Sequence, residues 1–293
     1  MNPPKHILIT GATGQVGSEL QVLLRQNYPY TTAFCVGRTT LDLLQMEAIE
    51  AYLTQHRIAA IINCAAYTQV DKAETDAEQA YLANVVAVEN LARVANNHQI
   101  PFLHFSTDFV FDGNKNTPYE PTDTANPLGV YARTKYEGEQ KALQHYPNTI
   151  ILRTAWVYSS FGHNFVKTML RLFAERPQIN VVYDQIGCPT YAADIAATAL
   201  AIIHSPKAMQ GGIHHFVSKG VASWYDFAMA INELSGSTCH IEPILTHQYP
   251  TPARRPPYSV LSTQTLQQEW DIQPPYWREA LERCLKTMGS LKE

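Results

Sequence analysis

Lys5-His6-Ile7-Leu8-Ile9-Thr10-Gly11-Ala12-Thr13-Gly14-Gln15-Val16-Gly17 stands almost at the start of the chain, and the reading of everything after it depends on this stretch. Ile7 to Ile9 is a short apolar run with β-branched residues, the pattern of a buried parallel strand. Three glycines follow at three-residue spacing, and Leu20, Leu23 and Leu24 then recur with a helical period. Strand, glycine turn and helix form the setting in which a glycine motif holds a dinucleotide. Gly11 allows the tight turn, Gly14 lets backbone approach a pyrophosphate, and Gly17 lets the helix pack close to the sheet. The helix start then offers N–H groups and a partial positive charge to phosphates. An ordinary glycine-rich turn has the same letters, and the spacing departs from Gly-x-Gly-x-x-Gly. The motif therefore takes its meaning from residues further along the chain.

The 293 residues suit one large α/β domain or two unequal ones. A net charge of −4 gives no field that would gather nucleic acid, so an anionic ligand needs local cations. Cys35, Cys64, Cys188, Cys239 and Cys284 are odd in number and never form Cys-x-x-Cys, which predicts reduced thiols in a cytoplasmic setting. The histidines include one adjacent pair and no His-Glu-x-x-His, so no metal is expected from them. The N-terminus enters a strand with no cationic, apolar leader, and no apolar run is long enough for a bilayer.

Further strands are predicted at 32–36, 58–67, 101–105 and 149–154. Helices are predicted at 46–56 and 71–97, and from about 128. Asn84 lies inside the long helix, where a buried asparagine ordinarily bonds nearby backbone. This alternation predicts an α/β fold with a doubly wound, Rossmann-like parallel sheet. Beyond Trp156 the alternation fades. We therefore expect a dinucleotide-binding domain over 1–155 and a smaller, partly interleaved α/β substrate domain over 156–293. Segments near 180–184 and 213–217 are expected to return to the first domain. At the end of the second strand, Arg38 suits a 2′-phosphate and Asp42 suits ribose hydroxyls; Arg38 reads equally well as a solvated turn residue. Ala65 and Ala66 end the third strand in small side chains that leave room for a cofactor.

Thr107 leaves the fourth strand at the sheet edge, and Tyr131 and Lys135, four apart, project from one helix face. That constellation suits hydride transfer to a ketone. The developing alkoxide needs a proton, and tyrosine can supply it if the ammonium one turn away lowers its pKa. Thr107 can hold the same oxygen as charge develops.

With these residues the chain resembles the extended short-chain dehydrogenase/reductases, which carry Thr-Gly-x-x-Gly-x-x-Gly and Tyr-x-x-x-Lys. Within them it is similar to the dTDP-4-dehydrorhamnose reductases. The matching pieces include Asn63-Cys64-Ala65-Ala66-Tyr67-Thr68, Ser106-Thr107-Asp108-Phe109-Val110-Phe111, Arg153-Thr154-Ala155-Trp156-Val157-Tyr158, Asp184-Gln185-Ile186-Gly187-Cys188-Pro189-Thr190 and Arg255-Pro256-Pro257-Tyr258-Ser259. They extend from the first strand to near residue 260. The resemblance implies Thr107, Tyr131 and Lys135 as the catalytic trio. It implies Gly11, Gly14, Gln15, Val16, Gly17, Arg38, Asp42, Leu43, Ala65, Ala66, Tyr67, Thr68 and Phe105 around NADPH or NADH, with Tyr131 and Lys135 also at the cofactor. Val70, Thr107, Asp108, Phe109, Trp156, Asn164, Arg254 and Arg255 would face a dTDP-linked 4-keto-6-deoxyhexose. Cys64 stands where alanine is more usual. Ala193 stands near where some relatives place a carboxylate for magnesium between subunits, so that metal is not expected.

The implied activity is reduction of the 4-keto group of dTDP-4-dehydro-β-L-rhamnose. Another nucleotide-sugar ketoreductase or epimerase shares these motifs. The related 4,6-dehydratases carry Asp-Glu where this chain has Asp108-Phe109, and phenylalanine cannot move protons. A rival of another class is a regulatory subunit like that of methionine adenosyltransferase, which resembles the same family. The cofactor preference, the base, the sugar and the oligomeric state stay open, a homodimer included.

Overall fold

A computed structural model describes residues 4–292. The chain opens with β1 (His6–Thr10), α1 (Gln15–Asn27), β2 (Thr32–Val36), α2 (Met46–His56) and β3 (Ala60–Asn63). Ile7, Leu8, Ile9, Ile61 and Ile62 are all buried, as a strand covered on both faces requires. The stretch expected as one helix over 71–97 is divided into α3 (Val70–Ala73), α4 (Ala77–Tyr81), a π turn (Leu82–Val86) and α5 (Ala87–His98). The π turn carries Asn84, whose side-chain amide is spent on Tyr67: it accepts from Tyr67 N at 2.8 Å and donates to Tyr67 O at 3.2 Å.

Next come β4 (Phe102–Thr107), a 3₁₀ turn (Asp108–Val110), α6 (Val130–His145) and β5 (Ile150–Thr154). The first amide of α6, Val130 N, donates to the Glu74 carboxylate at 2.8 Å, which fixes where this helix begins. Then follow β6 (Val157–Tyr158), α7 (Phe165–Glu175), β7 (Gln178–Val182), β8 (Ile186–Gly187), β9 (Thr190–Tyr191), α8 (Ala192–His204) and β10 (Gly212–His215). The chain finishes with β11 (Ala222–Ser223), α9 (Trp224–Ser235), β12 (His240–Ile244), α10 (Gln264–Trp270) and α11 (Trp277–Thr287).

Six strands form one parallel sheet in the order β10-β5-β4-β3-β1-β2. This is a Rossmann-like, doubly wound α/β fold. Ile7, Ile9, Ile62 and Leu152 meet α1 and α8 on one face; Leu8, Ile61, Phe102 and Ile151 meet α2, α5 and α6 on the other. The strand near 180–184 does not return to this sheet as expected. Residues 178–182 pair in parallel with 240–244 as a separate ribbon. The apolar side chains of that ribbon, Ile179, Val181 and Ile241, are covered by α7, α9 and α11 in a core of their own around Phe227 and Leu281.

Candidate active site

All six sheet strands point their C-terminal ends to one edge, where a doubly wound fold binds its ligand. Gly11 stands there with φ +59°, and a Cβ on it would lie 2.5 Å from Ala65 N. Only glycine fits a left-handed position against neighbouring backbone. A Cβ on Gly17 would lie 2.5 Å from the Gly11 carbonyl oxygen, so Gly17 closes α1 on the turn rather than on the sheet. Gly14 precedes α1, no side chain caps the helix, and its first turn holds no acid. A cradle that a side chain would fill, and a helix start open to an anion, both fit a dinucleotide. Gln15 opens α1, and its side chain accepts from Asn164 Nδ2 at 3.0 Å and donates to Val157 O at 3.4 Å. Val16, in the first turn of α1, packs partly buried against the core.

Arg38 is exposed directly after β2. Asp42 is exposed in the same loop, where its carboxylate accepts from Leu44 N at 3.0 Å, and the Leu43 carbonyl accepts from Asn90 at 3.0 Å. Ala65, Ala66, Tyr67 and Thr68 follow β3 at the same edge. The Tyr67 backbone is clamped by Asn84, and its phenol donates to Asp76 at 3.0 Å.

Thr107 ends β4, and its hydroxyl donates to Asp108 Oδ1 at 3.1 Å and accepts from Phe109 N at 3.2 Å. Tyr131 is the second residue of α6, its ring edge-on to Phe109 at 5.9 Å. Burial pushes the Tyr131 phenol up to about 12, against a smaller lowering by the Thr107 hydroxyl. The expected lowering by Lys135 is absent, because the lysine is engaged elsewhere. Lys135 Nζ donates to the Phe105 carbonyl at 2.6 Å and lies 3.2 Å from His104 Nε2. Burial brings the Lys135 amine down to about 8. Tyr131 is therefore a held acid at neutral pH, the state that proton donation to an alkoxide requires. Asp108 is buried beside this pair; burial raises its carboxyl to about 6, and the Ser259 and Thr107 hydroxyls offset part of that.

The residues expected at the sugar divide into two groups. Phe109 and Asp108 stand beside Tyr131, and Val70 opens α3, which packs against α6. Asn164 is taken up by structure: its Oδ1 caps α7 by accepting from Lys167 N, and its Nδ2 donates to Ser159 O at 2.7 Å. Trp156 adopts φ +48° and stacks on Trp224 at 3.5 Å, nearly parallel at 4°. That face of the indole is closed to a ligand. Arg255 donates to Asp71 with both terminal nitrogens, at 3.0 and 2.7 Å, while Arg254 is exposed. Sequence reasoning missed Asn63, Glu74 and His104. The one signal for His104 was a lone histidine in the strand Phe-Leu-His-Phe-Ser-Thr.

A family model described as the RmlD substrate binding domain matches residues 5–290. A dTDP-4-dehydrorhamnose reductase of Aggregatibacter actinomycetemcomitans is 42% identical, covering 94% of this chain and 96% of that protein. The chain belongs to the dTDP-4-dehydrorhamnose reductase family. Its fold agrees with solved members. The family's structure from Clostridium acetobutylicum, 37% identical, superposes with a TM-score of 0.91 over 97% of this chain and 99% of that one. The family's structure from Bacillus anthracis, in complex with NADP, is 34% identical with a TM-score of 0.92, covering 98% of this chain and all of that one (100%).

Proposed function

We propose that this chain reduces the 4-keto group of dTDP-4-dehydro-β-L-rhamnose to the alcohol, using NADPH or NADH. The observation that carries the reading is Tyr131 and Lys135 on one face of α6, beside Thr107 at the end of β4. When bound, the nicotinamide supplies the hydride. Tyr131 donates its phenolic proton to the carbonyl oxygen as charge develops there, and Thr107 holds that oxygen by hydrogen bond. Lys135, held at the Phe105 carbonyl, keeps positive charge on the same helix face while the phenolate forms. Ala65, Ala66 and Phe105 border the nicotinamide side, and Gly11, Gly14 and the start of α1 receive the pyrophosphate. Asp108, Phe109, Val70 and the exposed Arg254 support the nucleotide sugar from the other side. We place the enzyme in the cytoplasm, since its five cysteines are free thiols and suit a reducing compartment. Incubation with dTDP-4-dehydro-6-deoxy-L-mannose and each nicotinamide cofactor, followed by absorbance of the reduced nicotinamide, tests the reading. Oxidation of NADPH or NADH that depends on the sugar is expected; its absence with both cofactors would overturn the assignment.

A further inference from the structure

Thr10, Asn63 and His104 lie in register on three neighbouring strands, Thr10 opposite Asn63 and Asn63 opposite His104. Their side chains form one buried polar row on a sheet face whose preceding row, Leu8, Ile61 and Phe102, is apolar. The Thr10 hydroxyl donates to Asn63 Oδ1 at 2.5 Å, and Ala65 N donates to the same oxygen at 3.1 Å. The Asn63 amide nitrogen then faces His104 Nδ1 at 2.9 Å. His104 Nε2 faces Lys135 Nζ at 3.2 Å. The row thus runs from the last residue before the glycine turn to the lysine of α6.

Counting protons along the row fixes the imidazole. Oδ1 of Asn63 has two donors, so its NH₂ group points to His104, and Nδ1 is an acceptor. A neutral imidazole then carries its one proton on Nε2. Burial keeps His104 neutral, well below the usual imidazole range, and the nearby Lys135 charge acts in the same sense. An Nε2–H finds a lone pair on Lys135 only when the amine is uncharged. Full protonation of Lys135 requires the imidazole proton to change nitrogen and the Asn63 amide to turn over, which takes Oδ1 from Ala65 N.

We propose that His104 is a positioning residue for Lys135: oriented by Asn63, it holds the amino group against the Phe105 carbonyl and sets when that group carries its charge. Around Lys135 the other charged or titratable groups are Tyr131 and Glu139 of α6 itself. Glu139 favours the ammonium and is bound to Arg153 of β5 at 2.9 and 2.7 Å. Asp108 bears on Tyr131 from the 3₁₀ turn, and the π turn contributes only the neutral Asn84. The inference rests on Lys135 belonging to the reductase centre.

The test is the pH dependence of kcat/KM for the nucleotide sugar in His104→Phe and His104→Gln. Loss of the Nε2–H should let Lys135 keep its charge to higher pH, moving the alkaline limb up by half a unit or more in His104→Phe. His104→Gln, whose amide nitrogen reaches the Nε2 position, should move it back, with KM for the sugar changed less than threefold. An unmoved limb, or a limb that moves down, overturns the proposal. Nitrogen-15 spectra of the unsubstituted protein provide a readout without turnover and without a folding risk. At a pH above 8, where Lys135 is uncharged, the resonance missing from His104→Gln should report a neutral ring protonated on Nε2; protonation on Nδ1 there overturns the proposal. If Lys135→Met leaves turnover intact, the reductase assignment of Lys135 fails instead, and the two failures are told apart.

Discussion

Arg255 holds Asp71 with both terminal nitrogens of its guanidinium, and the Ala253 amide donates to the same carboxylate at 3.1 Å. The bidentate pair pulls the Asp71 carboxyl below its ordinary range. A diphosphate arriving at this loop meets one arginine already matched and one, Arg254, exposed. Arg254→Ala should therefore raise the KM for the nucleotide sugar about tenfold, the loss of one charged hydrogen bond. Arg255→Ala should act through the loop, and Asp71→Asn should reproduce its effect. Steady-state kinetics decide it: a KM unchanged in Asp71→Asn but raised in Arg255→Ala would show that Arg255 meets the substrate itself.

Tyr131→Phe keeps the ring against Phe109 and removes only the hydroxyl. Turnover should fall on the order of a hundredfold or more, with the fold and dinucleotide affinity kept. Turnover near that of the parent protein would remove Tyr131 as the proton donor.

Arg38 stands exposed at the end of β2 with Asp42 four residues on. Arg38→Ala should weaken NADPH far more than NADH, because only NADPH carries the 2′-phosphate. Equal losses in a titration with each cofactor would show that Arg38 is a solvated turn residue.

Asp108 predicts a pH dependence of stability. Its folded-state pKa, about 6, lies above the ordinary value of 3.8, so the folded protein binds more protons between these values. Stability from this group is therefore greatest below pH 4 and is lost as pH rises through 6. Asp108→Asn lacks that loss, and its Tm relative to the parent should be higher at pH 7.5 than at pH 4.5. A Tm difference that is the same at both pH values would mean that Asp108 titrates as an exposed carboxyl does.

The central sheet was legible because its signals are local. Ile7–Ile9 and Ile61–Ile62 are apolar runs next to turn residues, and α2 has the bounds predicted for it, Met46–His56. The partner of Gln178–Val182 was not legible, since a short strand does not say which edge it will join. The π turn was hidden for a similar reason: Asn84 spends its amide on Tyr67, 17 residues away. Within the site, the spacing of Tyr131 and Lys135 was readable, but not the direction in which Lys135 points. That direction is set by Phe105 and His104 on another element. Arg255 was expected to face the nucleotide sugar, and its pairing was not legible because its counter-charge, Asp71, lies 184 residues away in sequence.

The four residues of α3, with Glu74 beside them, hold two distant parts of the chain at once. Asp71 receives residues 253 and 255, and one turn on Glu74 receives the first amide of α6. Segments that meet at such a junction do not drift independently. When pieces are exchanged between homologues, a loop taken over 251–258 will seat only if residue 71 comes with it, and a transplanted α6 needs its carboxylate at 74. Recombination that cuts between them should yield proteins that bind dinucleotide yet lack the wall against which a sugar is held.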